Sequence, residues 1–418
     1  MNYCIFIFYS TIFCYCITKI SFFNNAGIKK NELVLLFSIK ILVGLIYAWY
    51  YHQPSQFYKN DTYHYFNESI SETKVLLNNP IAFIKTFFTH NYNSSGNLFN
   101  SNQSYWNNLK ANTIIKLLAI INVFTFKNYI AAIPFFNFFS FFGLMAFYKL
   151  IQSYNTNNKW LLIISIFLLP SFLFWTSGVH KDGIIFSACA SIIFFIHQLF
   201  QHKNSFKKIS VIILLLLLVF ALRNFVLFAL LIAIFVWIIA YQSKKPFALF
   251  IFLYLIGCIL FFSTIYLPQS YNFPNYLVTK HNEFLQLQGN SFFYTQPLQS
   301  TVKSFIAYLP TAIDACLFRP HFNEISNINY LMAFLENVCV LLFIIVAISF
   351  RKKNSIIPTV FLTCWFFALS LLLIEGYTVN FSGAIVRYKC IATPFIIAPL
   401  MSMIDSNKLK KKINFIKL

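Results

Sequence analysis

The chain has 418 residues, of which 59% are hydrophobic, 20% aromatic and only 10% charged, and its mean hydropathy is +0.67. That balance excludes an ordinary soluble globular protein. The formal net charge of +21 lies in short groups beside apolar runs and not in one basic stripe, which argues against a nucleic-acid partner.

The first apolar run, YCIFIFYSTIFCYCI, has no basic residue before it and no small-x-small cleavage site, so it reads as a retained span and not as a signal peptide. A spanning helix needs about 20 mostly apolar residues. Candidate spans are 3–19, 33–51, 129–151, 160–177, 183–200, 207–222, 224–241, 247–267, 329–349, 356–375 and 387–404. The expected fold is all-α, a polytopic transmembrane helical bundle of about 11 spans, with residues 1–418 as a single integral membrane domain. The stretch ISVIILLLLLVFALRNFVLFALLIAIFVWIIAY is split at Arg223-Asn224. The alternative is one tilted helix, which would flip every later orientation.

Lysine and arginine enrich cytoplasmic loops. Alternate connectors hold Lys19, Lys29 and Lys30; Lys149 and Lys159; Lys203, Lys207 and Lys208; Lys244 and Lys245; and Arg351, Lys352 and Lys353, while the tail adds Lys408, Lys410, Lys411, Lys412 and Lys417. All fall on one face, which predicts an external N-terminus and a cytoplasmic C-terminus. Of the 11 acidic residues, only Glu32 and Asp405 share that face. The long connectors 52–128 and 268–328 are then external, where the chain is expected to work. In the first of them, PIAFIKTFF and NTIIKLLAIINVF predict amphipathic helices lying on the membrane.

YKNDTYHYFNESISE (58–72) follows the second span, with Asp61 beside Tyr63 and His64. Asp61 reads either as a helix cap with Glu68 and Glu72 on an exposed face, or as a reactive carboxylate at the head groups. FWTSGVHKDG (174–183) places His180, Lys181 and Asp182 between two apolar runs. It is either a polar turn or one wall of a site. AIDACLFRPHFNEISN (312–327) and EGYTVNFSGAIVRYKCIATPF (375–395) bring Arg319, Arg387 and Lys389 to the same outer face. Such cations either snorkel to lipid phosphate or hold the phosphate of a substrate. Lys40 stands apart as the ionisable residue clearly inside a span.

A carboxylate soon after an early span, in a large first external loop with amphipathic helices, resembles the GT-C class of membrane glycosyltransferases. That resemblance implies a polyprenyl-phosphate sugar donor and gives Asp61 the role of catalytic base. The chain has a single Asp there and not a paired acidic motif. FWTSGVHKDG and the other short stretches, with SSGNLFNSNQSYWNNLKANTIIKLLAI, also resemble an uncharacterised family of bacterial multi-pass proteins linked to surface-polysaccharide synthesis.

The expected function is therefore sugar transfer from a polyprenyl-phosphate-linked donor to a glycan or lipid acceptor at the external face of the bacterial inner membrane. Asp61 and His64 are the expected catalytic residues, and His180, Lys181, Asp182, Arg223, Arg319, Arg387 and Lys389 are the expected substrate contacts. The alternatives are an O-antigen-type polymerase acting on a lipid-linked oligosaccharide and a non-catalytic transporter of lipid-linked glycans. Eight histidines form no HxxxH or HxH pair, and no nucleotide motif or GxSxG occurs, so no metal or cofactor is identified and a divalent metal stays open. Nine cysteines without a CxxC pair read as small buried hydrophobes.

Overall fold

The computed structural model describes residues 2–53, 61–89, 105–201, 205–352, 356–409 and 412. Among these the regular structure is helical, and the only extended pairings are single bridges between Phe292 and Phe381 and between Arg351 and Ile404. In chain order the helices are α1 (Asn2–Lys19), α2 (Ser21–Asn24), α3 (Lys30–His52), α4 (Asp61–Asn78), α5 (Pro80–Thr89), α6 (Tyr105–Thr125), α7 (Tyr129–Gln152), α8 (Lys159–Phe167) and α9 (Pro170–Ser177). They continue as α10 (Lys181–Phe200), α11 (Phe206–Leu222), α12 (Asn224–Ala240), α13 (Pro246–Ser263), α14 (Phe273–Gln286), α15 (Val302–Leu317), α16 (Ile328–Ser349), α17 (Thr359–Thr378) and α18 (Ser382–Ser402).

Every expected span coincides with helix, but among the described residues length and composition qualify seven to cross a membrane, or eight if α8 and α9, bent by 52°, form one span. The shortfall has a physical cause. Helices α11 and α12 have only 17 residues each, because Arg223 between them is extended at φ −156° and ψ 90°. At 1.5 Å per residue, 17 residues reach about 26 Å, short of the roughly 30 Å of hydrocarbon. The split at Arg223 is therefore present.

The chain divides into two compact units, Met1–Leu150 with Leu173–Leu227, and Ile151–Phe172 with Phe228–Leu418. In the first, aromatic side chains hold α1 and α2 to α7: Phe13 stacks on Phe138 at 4.5 Å, and Phe23 packs on Phe142 at 4.7 Å. Lipid tails are as apolar as these rings, so close contact and not exclusion of water supplies the attraction. Glycine permits the closest approach, since a Cβ on Gly44 in α3 would lie 2.6 Å from the Ser177 carbonyl oxygen and 2.6 Å from Ile133. Gly44→Ala is expected to cost about 1–3 kcal/mol through this overlap with backbone, read as a lowered thermal midpoint of the detergent-solubilised protein.

In the first connector, α4 packs along α6. Thr73 Oγ1 donates to the Ala119 carbonyl at 3.3 Å, Asn122 Nδ2 donates to Ser69 Oγ at 2.8 Å, and buried Lys116 pairs with Glu72 at 2.8 Å. The turn from α6 to α7 carries Phe126 and Lys127 in the left-handed region, at φ 53° and 61°.

In the second unit, α15 packs on α17 and α17 on α18. Residues 287–301, between α14 and α15, dock at the junction of α17 and α18. Phe293 N donates to Asn380 O at 3.0 Å, Ser382 N donates to Ser291 O at 2.9 Å, and Asn380 Nδ2 donates to Thr295 Oγ1 at 2.7 Å. His281 lies wholly buried beneath them, with Nδ1 2.9 Å from Tyr377 O and Nε2 3.2 Å from Gln296 O.

Burial lowers the His281 pKa, outweighing the two carbonyl oxygens that favour its proton. The unfolded chain therefore binds that proton more readily, so docking is complete above about pH 6.5 and weakens as the pH falls below it. Hydrogen exchange in residues 291–296, corrected for intrinsic rates, is expected to be faster at pH 5 than at pH 7.5. His281→Asn should flatten that dependence.

Candidate functional site

The site is built around the break between α9 and α10, the centre of FWTSGVHKDG. Four successive carbonyls leave the helical ladder there and need other donors. Lys40 Nζ donates to Thr176 O at 2.8 Å, Asn137 Nδ2 to Ser177 O at 2.9 Å, His180 N to Gly178 O at 2.8 Å, and Thr62 Oγ1 to Val179 O at 2.6 Å. Lys40 also reaches Thr176 Oγ1 at 2.9 Å and Ser177 Oγ at 3.3 Å, and it is only 1% exposed. This accounts for a lysine at the middle of an apolar helix: its cation sits at the C-terminal end of α9, where the helix dipole favours positive charge.

Helix α10 begins at Lys181 with His180 as its N-cap. The Asp182 carboxylate pairs with Arg223 Nη2 at 2.8 Å and with His180 Nδ1 at 3.0 Å, and both the His180 and Asp182 side chains are 0% exposed. Two of the three ionisable groups of this turn thus point inward, where Asp182 holds Arg223 at the end of α11. Only Lys181 reaches toward the surface, half-buried, with Nζ 5.9 Å from the Tyr65 ring centroid. Asp182 thus belongs to a buried His180–Asp182–Arg223 set. Gly183 lets α10 start close against α9, since a Cβ there would lie 2.5 Å from Thr176 O.

Asp61 is the first residue of α4 and is exposed. Its neighbour Thr62 is buried, tied to Val179 O and, at 2.9 Å, to the Tyr129 hydroxyl. Tyr63 donates to Ala48 O at 2.9 Å and stacks on Tyr129 at 4.3 Å, and burial pushes its pKa up to about 12, so its hydroxyl keeps its proton. These bonds bring the Asp61 turn against the segment that carries Lys181. His64 is exposed and pairs with Glu68 at 3.0 Å, one turn along α4. The residues just before Asp61, 54–60, and the polar part, 94–104, of the stretch that carries the family resemblance lie outside the described residues.

The remaining expected contacts belong to the second unit. Arg319 binds Asp314 through Nε at 3.3 Å and Glu324 through Nη1, and its guanidinium lies 4.0 Å from the Phe293 ring centroid. His321 Nε2 holds the other Asp314 oxygen at 2.8 Å. Lys389 Nζ donates to Asn337 Oδ1 at 2.6 Å and to Arg319 O at 3.2 Å. Arg387 is half-buried with its guanidinium 5.8 Å from the Tyr388 ring centroid.

Several of these partners carry no sequence signal. Asn137 is a lone amide in FFNFF, and Thr62 and Thr176 are ordinary hydroxyls, so only their placement reveals what they hold. Glu336 is one that length counting alone would have found, since it lies well inside α16. There it accepts from Ser171 N at 2.7 Å and from Ser171 Oγ at 2.5 Å. Among the described residues no group of three His, Cys, Asp or Glu is placed to hold a metal ion.

Fold and site together define a multi-helix protein with membrane-length apolar helices and a polar, internally bonded helix break. Comparison of the chain with family models, curated proteins and solved structures returns no match.

Proposed function

We propose that the chain transfers a sugar from a polyprenyl-phosphate-linked donor to a glycan or lipid acceptor at the external face of a bacterial inner membrane. In this reading the short helices α1, α11 and α12 also span, which gives eleven crossings with the N-terminus external and the C-terminus cytoplasmic. The Asp61 carboxylate takes the proton of the acceptor hydroxyl as its oxygen attacks the anomeric carbon. The bond from that carbon to the phosphate oxygen breaks, and the phosphate leaves carrying the electron pair. Lys181 offsets the charge that develops on it, so no general acid is required.

The observation that carries this reading is the 2.6 Å bond from Thr62 to Val179 O. It joins the turn that presents an exposed carboxylate to the turn that presents a surface-reaching lysine. The polymerase alternative leans on arginine, and Arg319 already holds two carboxylates. The transporter alternative gains one observation: Glu336 and Lys389 both lie inside apolar helices of the second unit, as ionisable residues on a substrate path would.

Reconstitution with labelled polyprenyl-monophosphate sugar tests the proposal. A new glycosidic bond supports transfer, whereas movement of the lipid-linked sugar between leaflets without a new bond would select transport.

A further inference from the structure

Helix α5, PIAFIKTFFT, is short and strongly apolar, interrupted by Lys85 and Thr86. Its inner side is fixed on α6. Phe83 is buried with its ring centroid 4.1 Å from Lys116 Nζ, and Lys116 also donates to Phe83 O at 2.8 Å and to Thr86 Oγ1 at 2.9 Å. Asn112 adds a bond to Thr86 O at 3.2 Å. Rotation cannot bury the other side, which leaves Ile81 68% exposed and Ile84 63% exposed, next to Leu77 of α4 at 60%.

Exposed Lys74 and Lys85 flank these three residues, while Glu72 is turned inward to Lys116. The start of α4 is also placed. The first turn of α4 is bonded to Ala48, four residues from the end of α3, and to Tyr129, the first residue of α7. Both are membrane-length helices, so α4 starts within about a turn of where two spans end.

We propose that Leu77, Ile81 and Ile84 insert into the head-group and acyl boundary of the bilayer, with Lys74 and Lys85 binding the phosphates of anionic lipids. The area is small, so lipid and not a second copy of the chain is its occupant, and the lysines favour an anionic surface. This inference is independent of the proposed transferase activity, because it needs only the placement of α5 at the membrane surface.

The test uses the full-length protein in vesicles of phosphatidylglycerol and phosphatidylcholine. Ile84→Trp adds a fluorophore at the face, and its added emission is expected to be quenched by brominated acyl chains and shielded from aqueous iodide. Retention of phosphatidylglycerol in native mass spectrometry is expected to fall about fivefold for each of Lys74→Gln and Lys85→Gln. Quenching by iodide alone would overturn the proposal, and so would shielding from both quenchers in a protein that runs as a dimer. Unchanged lipid retention in both lysine variants would overturn the head-group contact.

Discussion

Arg223→Ala is expected to lower the stability of the first unit by about 3–5 kcal/mol. The guanidinium is the partner of an Asp182 carboxylate with no exposed surface. Removing it strands a charge that the surroundings cannot solvate, because the alternative to a partner is hydrocarbon or protein and not water. His180 Nδ1, 3.0 Å from the same carboxylate, remains as its one neighbour of the set. Purified protein in detergent should unfold roughly 10 °C lower. The double replacement Asp182→Leu with Arg223→Met should recover most of the loss, since it removes both charges and keeps the volume. An unchanged midpoint for Arg223→Ala would show that the pair contributes nothing.

Asp61→Asn should reduce sugar transfer by about 10²–10⁴-fold while leaving the thermal midpoint unchanged. The side chain is exposed, so nothing in the fold depends on its charge. The neighbouring position separates chemistry from placement. Thr62→Val removes the bond to Val179 O and is expected to cost about tenfold, one buried hydrogen bond's worth, with Thr62→Ser restoring it. Retention of full activity in Asp61→Asn sinks the assignment of the base, and equal losses in both variants would make Asp61 a capping residue.

Placing the opening of α10 in the interior shifts attention from a charged loop to a charged core. FWTSGVHKDG is a break in helix whose carbonyls are supplied with donors from α3, α4 and α7. Backbone carbonyls freed by such a break and buried away from water need protein donors to complete their bonds. The lysine in the middle of α3 and the amide in the middle of α7 serve that purpose.

The apolar runs and their lengths were enough to establish helical structure with several membrane-length helices among the described residues, because 20 residues without charge have few other destinations. The break at Arg223 was legible too, since an arginine flanked by uninterrupted leucines and isoleucines is costly inside a helix facing lipid. Partnership was not legible. Whether Asp182 turns toward Lys181, its neighbour in sequence, or toward Arg223, 41 positions away, depends on which helices pack together. The sequence records no distance between helices. Lys40 and Thr176 are 136 residues apart and meet at 2.9 Å. Only the tertiary structure decided that, because the donors for a broken helix come from whichever side chains packing carries to it.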